Sequence, residues 1–338
     1  MTTRYKFAAA TLALCTQLAH ADDNTHPLQL ALSMQLTPVG DAANTPQATQ
    51  AAQAAPAPAE PAPLTLKPDM GKLLATGGVS SLDGAAGGGI TPWAVIGGYG
   101  TRDSYGANVH DTYVNTQDFR LNTYGVAVGV ADRVELSLAR QDFKVTDGPL
   151  NGLNVSQNIF GVKVRLAGDV VYDQDSWMPQ IAIGAEYKRN GGLTGLINAP
   201  VTALGARKTS GTDWYISATK IFLDQSLLAN VTLRETEANQ MGLLGFGGDL
   251  HDGYQAEFEG SLAYLLNKNW VIGAEYREKP RNLSADKEAA YYDAFVAWFP
   301  NKNVSLTLAY ADLGSIVAPV TGNNGDQKGV YLSLQAGF

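Results

Sequence analysis

Few residues in this chain are equipped for covalent chemistry. There are four His in 338 residues. Of these, His26 lies in an Ala/Pro-rich stretch, while His110-Asp111 and His251-Asp252 each place an imidazole beside a carboxylate. A pair of that kind can serve a hydrolase as base and orienting acid, or hold a metal if the two segments meet. No Gly-x-Ser-x-Gly elbow or His-Glu-x-x-His motif accompanies them. Both pairs are expected in loops, where a His beside an Asp is more often solvated than catalytic. The expectation is no enzyme, with no catalytic residue, metal or cofactor assigned.

A second set of residues is more orderly. Arg133, Glu135, Lys163, Arg165, Glu186, Lys188, Arg234, Glu257, Glu259, Glu275, Arg277 and Asp293 fall on the polar parity of segments whose other parity is apolar. Six are basic and six acidic. Neighbouring segments are expected to pair Glu135 with Arg165, Lys163 with Glu186, Arg234 with Glu257, and Glu259 with Arg277. Two roles fit: a cross-strand ion-pair network that holds a wall together, or a pore lining that tunes passage of small solutes. The balanced signs argue against strong ion selectivity.

The elements that must carry these residues are strands. Alternation of apolar and polar residues recurs over Thr91–Arg102, Phe119–Ala131, Arg133–Val145, Val155–Gly168, Pro179–Arg189, Thr212–Phe222, Ser226–Glu237, Gly253–Leu266, Asn269–Glu278, Ala289–Phe299, Asn303–Leu313 and Gln327–Phe338. Each has the length a tilted strand needs to cross a bilayer. Short turns such as Ala131-Asp132 and Asn267-Lys268 alternate with long stretches such as 103–118, 190–211 and 238–252, the habit of outer-membrane barrels. The fold expected is all-β: a closed antiparallel transmembrane barrel of about 12 strands, with 14 as the alternative. Its charged parity must face the lumen, because Arg or Lys at the lipid midplane costs about 2–4 kcal/mol. Trp93, Trp177, Trp214, Trp270 and Trp298 all stand near segment ends, as an interfacial girdle requires.

Two resemblances add to this. The last strand, with Val330, Leu332, Leu334 and Phe338 on one face, resembles the C-terminal signal that presents bacterial outer-membrane proteins for barrel assembly. The stretch from Gly71 to Thr91, continuing through Pro92-Trp93-Ala94-Val95-Ile96-Gly97-Gly98-Tyr99-Gly100, resembles the start of an uncharacterised family of bacterial outer-membrane or exported proteins, a domain of unknown function. The resemblance runs from about Gly71 to Phe338. It implies a barrel and brings no activity or catalytic residue with it.

Before the barrel, Arg4 and Lys6, the apolar run Phe7–Leu14 and Ala19-His20-Ala21 have the form of a signal peptide spanning residues 1–21. Cys15 follows Leu14, which is not the small residue that lipoprotein processing needs. Cleavage leaves no cysteine and removes two positive charges from a chain of formal net charge −8, so nucleic acid is not an expected partner. Residues 22–70, rich in Ala and Pro, are expected to be a disordered periplasmic linker. Residues 71–89 are expected to be a Gly-rich plug or periplasmic segment, and 90–338 the barrel. The apolar loops Leu193–Val201 and Met241–Gly248 are expected to fold over the mouth, either packing on the rim or giving access to an apolar solute. The expected partners are outer-membrane lipid, the barrel-assembly machinery and small solutes. The expected function is passive passage across the bacterial outer membrane, the alternative a non-conducting structural or adhesion barrel.

Overall fold

A computed structural model describes residues 71–317 and 325–338; the signal peptide and linker expected over 1–70 lie outside the described residues. Twelve strands close into one antiparallel barrel. They are β3 (Tyr105–Thr116), β4 (Phe119–Val130), β5 (Val134–Val145), β6 (Asn154–Ala167), β7 (Gln180–Thr194), β8 (Ser210–Phe222), β9 (Leu227–Thr236), β10 (Gln255–Leu265), β11 (Trp270–Arg277), β12 (Tyr291–Asn301), β13 (Val304–Asp312) and β14 (Lys328–Gly337). Each pairs with the next, and β14 closes the ring on β3, with Leu332 opposite Tyr113 and Gly337 opposite Asn108. Two short strands, β1 (Val79–Ser80) and β2 (Ala86–Gly87), pair with each other inside the barrel.

Alternation decides which side chains face out. Val126, Val128, Val130, Leu136, Leu138, Phe160, Val231, Leu233, Leu262, Leu308 and Leu332 are all exposed, whereas their strand neighbours point inward and are buried. Such a belt is the outer face of a transmembrane barrel. Tyr276 and Tyr292 stand together near the long-loop end, and Trp270 packs on Trp298 near the short-turn end, with ring centroids 5.1 and 5.7 Å apart. Over β3–β5 the outward positions nearest the loop end turn polar, including Asp111, Arg120, Asp142 and Lys144.

The strand count holds at twelve, but the first strand is not Thr91–Arg102. In that segment Trp93, Ala94, Val95 and Ile96 are all buried in a row, so it has no lipid-facing parity and cannot span. It runs inside the lumen. The spanning role falls to β3, within the stretch expected as the long loop 103–118, and only Gln117-Asp118 remain to join β3 to β4. His110 and Asp111 are consequently mid-strand residues, not loop residues. Trp93 leaves the girdle for the same reason: it is 4% exposed at the centre of the molecule.

Candidate functional site

The interior segment enters at the short-turn end. Lys72 Nζ lies 2.9 Å from Asp132 Oδ1 in the β4–β5 turn. The segment climbs through β1, turns at Leu82–Ala85, and returns through β2 and Pro92–Gly98. It leaves by the same end, where Tyr99 N–H donates to Phe338 O at 2.9 Å. It forms a plug of about thirty residues (71–101) rather than the shorter 71–89, because the apolar run after Thr91 also stays inside. The inward parity of the strands surrounds it, charged and polar over much of the wall and apolar where Ile221, Leu228, Val271 and Phe299 pack against Val79, Trp93 and Val95.

A chain folded back inside a barrel has backbone groups that need partners, and here the wall supplies them. Glu135 accepts Ala86 N–H and Gly97 N–H at 3.0 and 2.7 Å. Lys163 Nζ donates to Ala86 O and Val95 O at 2.7 and 2.9 Å. Glu275 accepts Ile90 N–H at 2.9 Å and the Thr91 hydroxyl at 2.6 Å. Thr219 accepts Ala94 N–H at 2.8 Å, Gln180 donates to Ala94 O at 2.7 Å, and Gln141 donates to Leu82 O at 2.7 Å. Close approach needs small residues. At Gly88 a Cβ would collide with the Glu275 carboxylate, so no larger residue fits without displacing that acid.

At the tip of the plug, Asp83 joins a buried cluster. Lys188 Nζ lies 2.9 Å from both Asp83 and Asp213. Arg277 reaches Asp83 at 2.6 Å and Glu259 at 3.2 Å. Arg234 contacts Glu259 and Glu186 at 2.5 and 2.8 Å. All seven members are buried. Burial alone would raise the pKa of Asp83, but the Arg277 and Lys188 cations outweigh it and hold the carboxyl well below the usual range.

Most of the expected lumen residues therefore meet, though with other partners. Glu135 pairs with Lys163 at 3.1 Å, not with Arg165; Arg165 pairs with Asp132 and, at 3.0 Å, with Asp169. Lys163 turns to the plug rather than to Glu186. Arg234 leans away from Glu257, which is half-buried and directly opposite it in register. The expected Glu259–Arg277 pair is present. Asp293 is buried facing the plug near Gly89. Arg133 departs from the lumen: it sits exposed at the turn and donates to Arg165 O and Leu166 O, because Ala131 and Asp132 both take positive φ and the strand begins only at Val134. Asp83, Asp213, Asp132 and Asp169 lie outside the set expected from the sequence. Asp83 lies in a segment with no strand period, and Asp213 differs only by sharing the Glu186 parity across β7–β8.

At the loop end, residues 238–248 fold inward over the lumen. Gln157 Nε2 donates to Met241 O at 3.1 Å, and Asn190 Nδ2 to Leu243 O at 2.8 Å. Lys279, in the β11–β12 loop, holds this lid segment: its Nζ donates to Gln240 Oε1 at 2.8 Å and lies 3.8 Å from the Tyr291 ring centroid. Between this loop and the wall is an apolar cavity of about 130 Å³. His110 is buried on the inward face of β3, Asp111 on the same strand points outward, and His251 is exposed in a loop. The four residues His110, Asp111, His251 and Asp252 do not come together. Among the described residues no group of three or more His, Cys, Asp or Glu is placed to hold a metal.

Solved structures similar in shape include the KdgM porin (10% identity, 68% of this chain and 99% of that one, TM-score 0.41). Others are the NanC porin (9%, 68% and 98%, TM-score 0.45) and the Salmonella typhi outer membrane phospholipase dimer with bound calcium (12%, 71% and 91%, TM-score 0.38). These are likenesses of general barrel shape only. No curated protein matches the sequence. A family model does match, over residues 76–335, from the plug through the last strand, and the chain therefore belongs to the family described as Protein of unknown function (DUF3034).

Proposed function

We propose that this chain is a bacterial outer-membrane barrel of porin-like type that passes small solutes and rests closed because its own plug fills the bore. One observation carries the reading: an apolar outward belt surrounds a lumen that the chain's own plug closes by non-covalent contacts, polar around Glu135 and Glu275 and apolar around Trp93. A twelve-stranded bore is wider than the eight-stranded kind that side chains alone can fill. Here the additional filling comes from a separate, small-residue segment attached at one end of the barrel. Its hydrogen bonds and ion pairs can be exchanged for water one at a time, while Val79, Trp93 and Val95, packed on Ile221, Leu228, Val271 and Phe299, set the apolar cost of drawing it out.

The alternative is a non-conducting structural or adhesion barrel. It draws support from the buried ion cluster, which ties the plug to β7 and β11 together. Planar-bilayer conductance separates the two. The full chain should show rare or no openings, and deletion of 71–101 should give stable channels. Silence in both forms would favour the structural role. No catalytic role is proposed: a buried His110 and an outward Asp111 cannot act on one substrate, and a lipid- and ester-hydrolysis screen checks this directly.

A further inference from the structure

We propose that the cavity at the loop end is a binding site for one small, uncharged, apolar molecule of about the size of a substituted benzene. Its siting outside the cell rests on the outer-membrane reading above; the binding itself does not. The lining comes from many separate parts of the chain, among them Leu121 on β4, Phe143 on β5, Leu193 on β7 and Leu243 in the inward-folded loop. The surface they present is almost wholly apolar.

Polar groups at its edge are already engaged. Gln240 donates through Nε2 to Asp286 at 2.7 Å, and its Oε1 accepts from Lys279 and from the Tyr291 hydroxyl, both at 2.8 Å. The site therefore offers a water molecule few partners. Apolar cavities of this kind stay dry, and one of about 150 Å³ accepts benzene or xenon; the cavity here is about 130 Å³.

Two further observations point to an occupant. The loop that roofs the cavity is held in a strained conformation, with Gln240 and Met241 at φ of 44° and 60°. Non-glycine residues in that region cluster at ligand clamps. Access is also apolar: Ile197 both lines the cavity and is 45% exposed, beside an exposed Leu196. Below the cavity lies the plug tip, with Leu82 packed into the same apolar cluster and Asp83 held in the ion network. A hydrocarbon can enter from the loop end and would stop there while the plug is seated. A charged molecule would gain no ion partner in the cavity.

The test is a titration of the full chain in lipid nanodiscs with fluorobenzene, followed by fluorine NMR. Saturable binding at one site per barrel is expected, competed by toluene and not by phenylacetate. Leu243→Trp in the loop and Leu121→Trp in the wall, each filling the cavity, should weaken binding about tenfold or more. Heat-modified gel mobility identifies the variants that fold, and two variants from different elements guard against one failing. Equal, non-saturable uptake by the wild type and a folded variant would mean partition into lipid only and would overturn the site. Equal competition by phenylacetate would overturn the uncharged class. Saturable binding without conductance would leave the site standing and remove the passage reading; conductance without binding would do the reverse.

Discussion

Asp83 Oδ2 lies 2.6 Å from Arg277 Nη1, and the other oxygen of the same carboxylate lies 2.9 Å from Lys188 Nζ. One plug residue thus faces two buried cations, on β7 and on β11, four strands apart in the ring. Without that carboxylate Lys188 keeps Asp213 and Arg277 keeps Glu259, so neither cation is stranded, but the plug tip loses its charged hold on the wall. Asp83→Asn should therefore loosen the plug far more than a surface change would. With Cys15 replaced and Ser81→Cys introduced, a membrane-impermeant maleimide should label the plug tip slowly in the parent and many times faster with Asp83→Asn. Because the Asp83 pKa is depressed, its contribution is fully present above about pH 4 and is lost only as pH falls below that. Mild acid should leave the plug seated.

The loop latch responds to pH differently. Burial pushes Glu288 up to about 8 and Lys279 down to about 8, their charged atoms being 3.9 Å apart. In an opened loop the two would titrate near about 4.3 and 10.4. The Glu288 preference for closure is full below the lower value and fades as pH rises to 8. The Lys279 preference is full above the higher value and fades as pH falls to 8. Closure should be weakest near pH 8. Limited proteolysis within 238–248 should run faster at pH 8 than at pH 5.5, after correction for protease activity, and Glu288→Gln should shrink the difference.

Gly88 tests the fit between plug and wall. A Cβ there meets the Glu275 carboxylate, which already holds Ile90, Thr91 and Ser261. Gly88→Ala should cost about 1–3 kcal/mol, the usual penalty for overpacking. The expected signature is a lower thermal midpoint. Pairing it with Glu275→Ala should restore part of the loss.

Phe338 closes the ring: its N–H donates to Ala107 O at 3.0 Å, and its carbonyl accepts Ala107 and Tyr99 at 3.1 and 2.9 Å. Its side chain is exposed on the belt beside those of Val330, Leu332 and Leu334. If these residues are read by the assembly machinery, deleting Phe338 should delay the appearance of folded barrel in cells more than it weakens the barrel once formed. Normal surface levels on a time course would remove the signal role.

From β4 onward the strands were legible because lipid on one side and a polar lumen on the other impose period two. β3 was not, for a physical reason. Its inward residues Asn108, His110 and Thr112 are polar, and outward Asp111 and Asn115 lie toward the polar loop end, so neither face reads as greasy. Thr91–Arg102 reads as that strand because burial inside a barrel also selects apolar residues. The charged lumen set was visible as a set. Its pairing was legible only in part: Glu259 and Arg277, directly opposite, do pair, and Glu135 takes Lys163 directly opposite it rather than Arg165, while Arg234 passes over Glu257 for Glu259 and for Glu186 two strands away. Arg133 shows how parity fails at a tight turn.

Both ends of the plug leave through the same mouth, Lys72 beside Asp132 and Tyr99 beside Phe338. It is thus a folded-back loop of cord pushed into a bottle, never threaded through it. A pull on the chain ahead of Gly71 would peel the contacts in series, Lys72 first and the Asp83 anchor later, and could draw the stopper downward without parting a single rung of the surrounding staves.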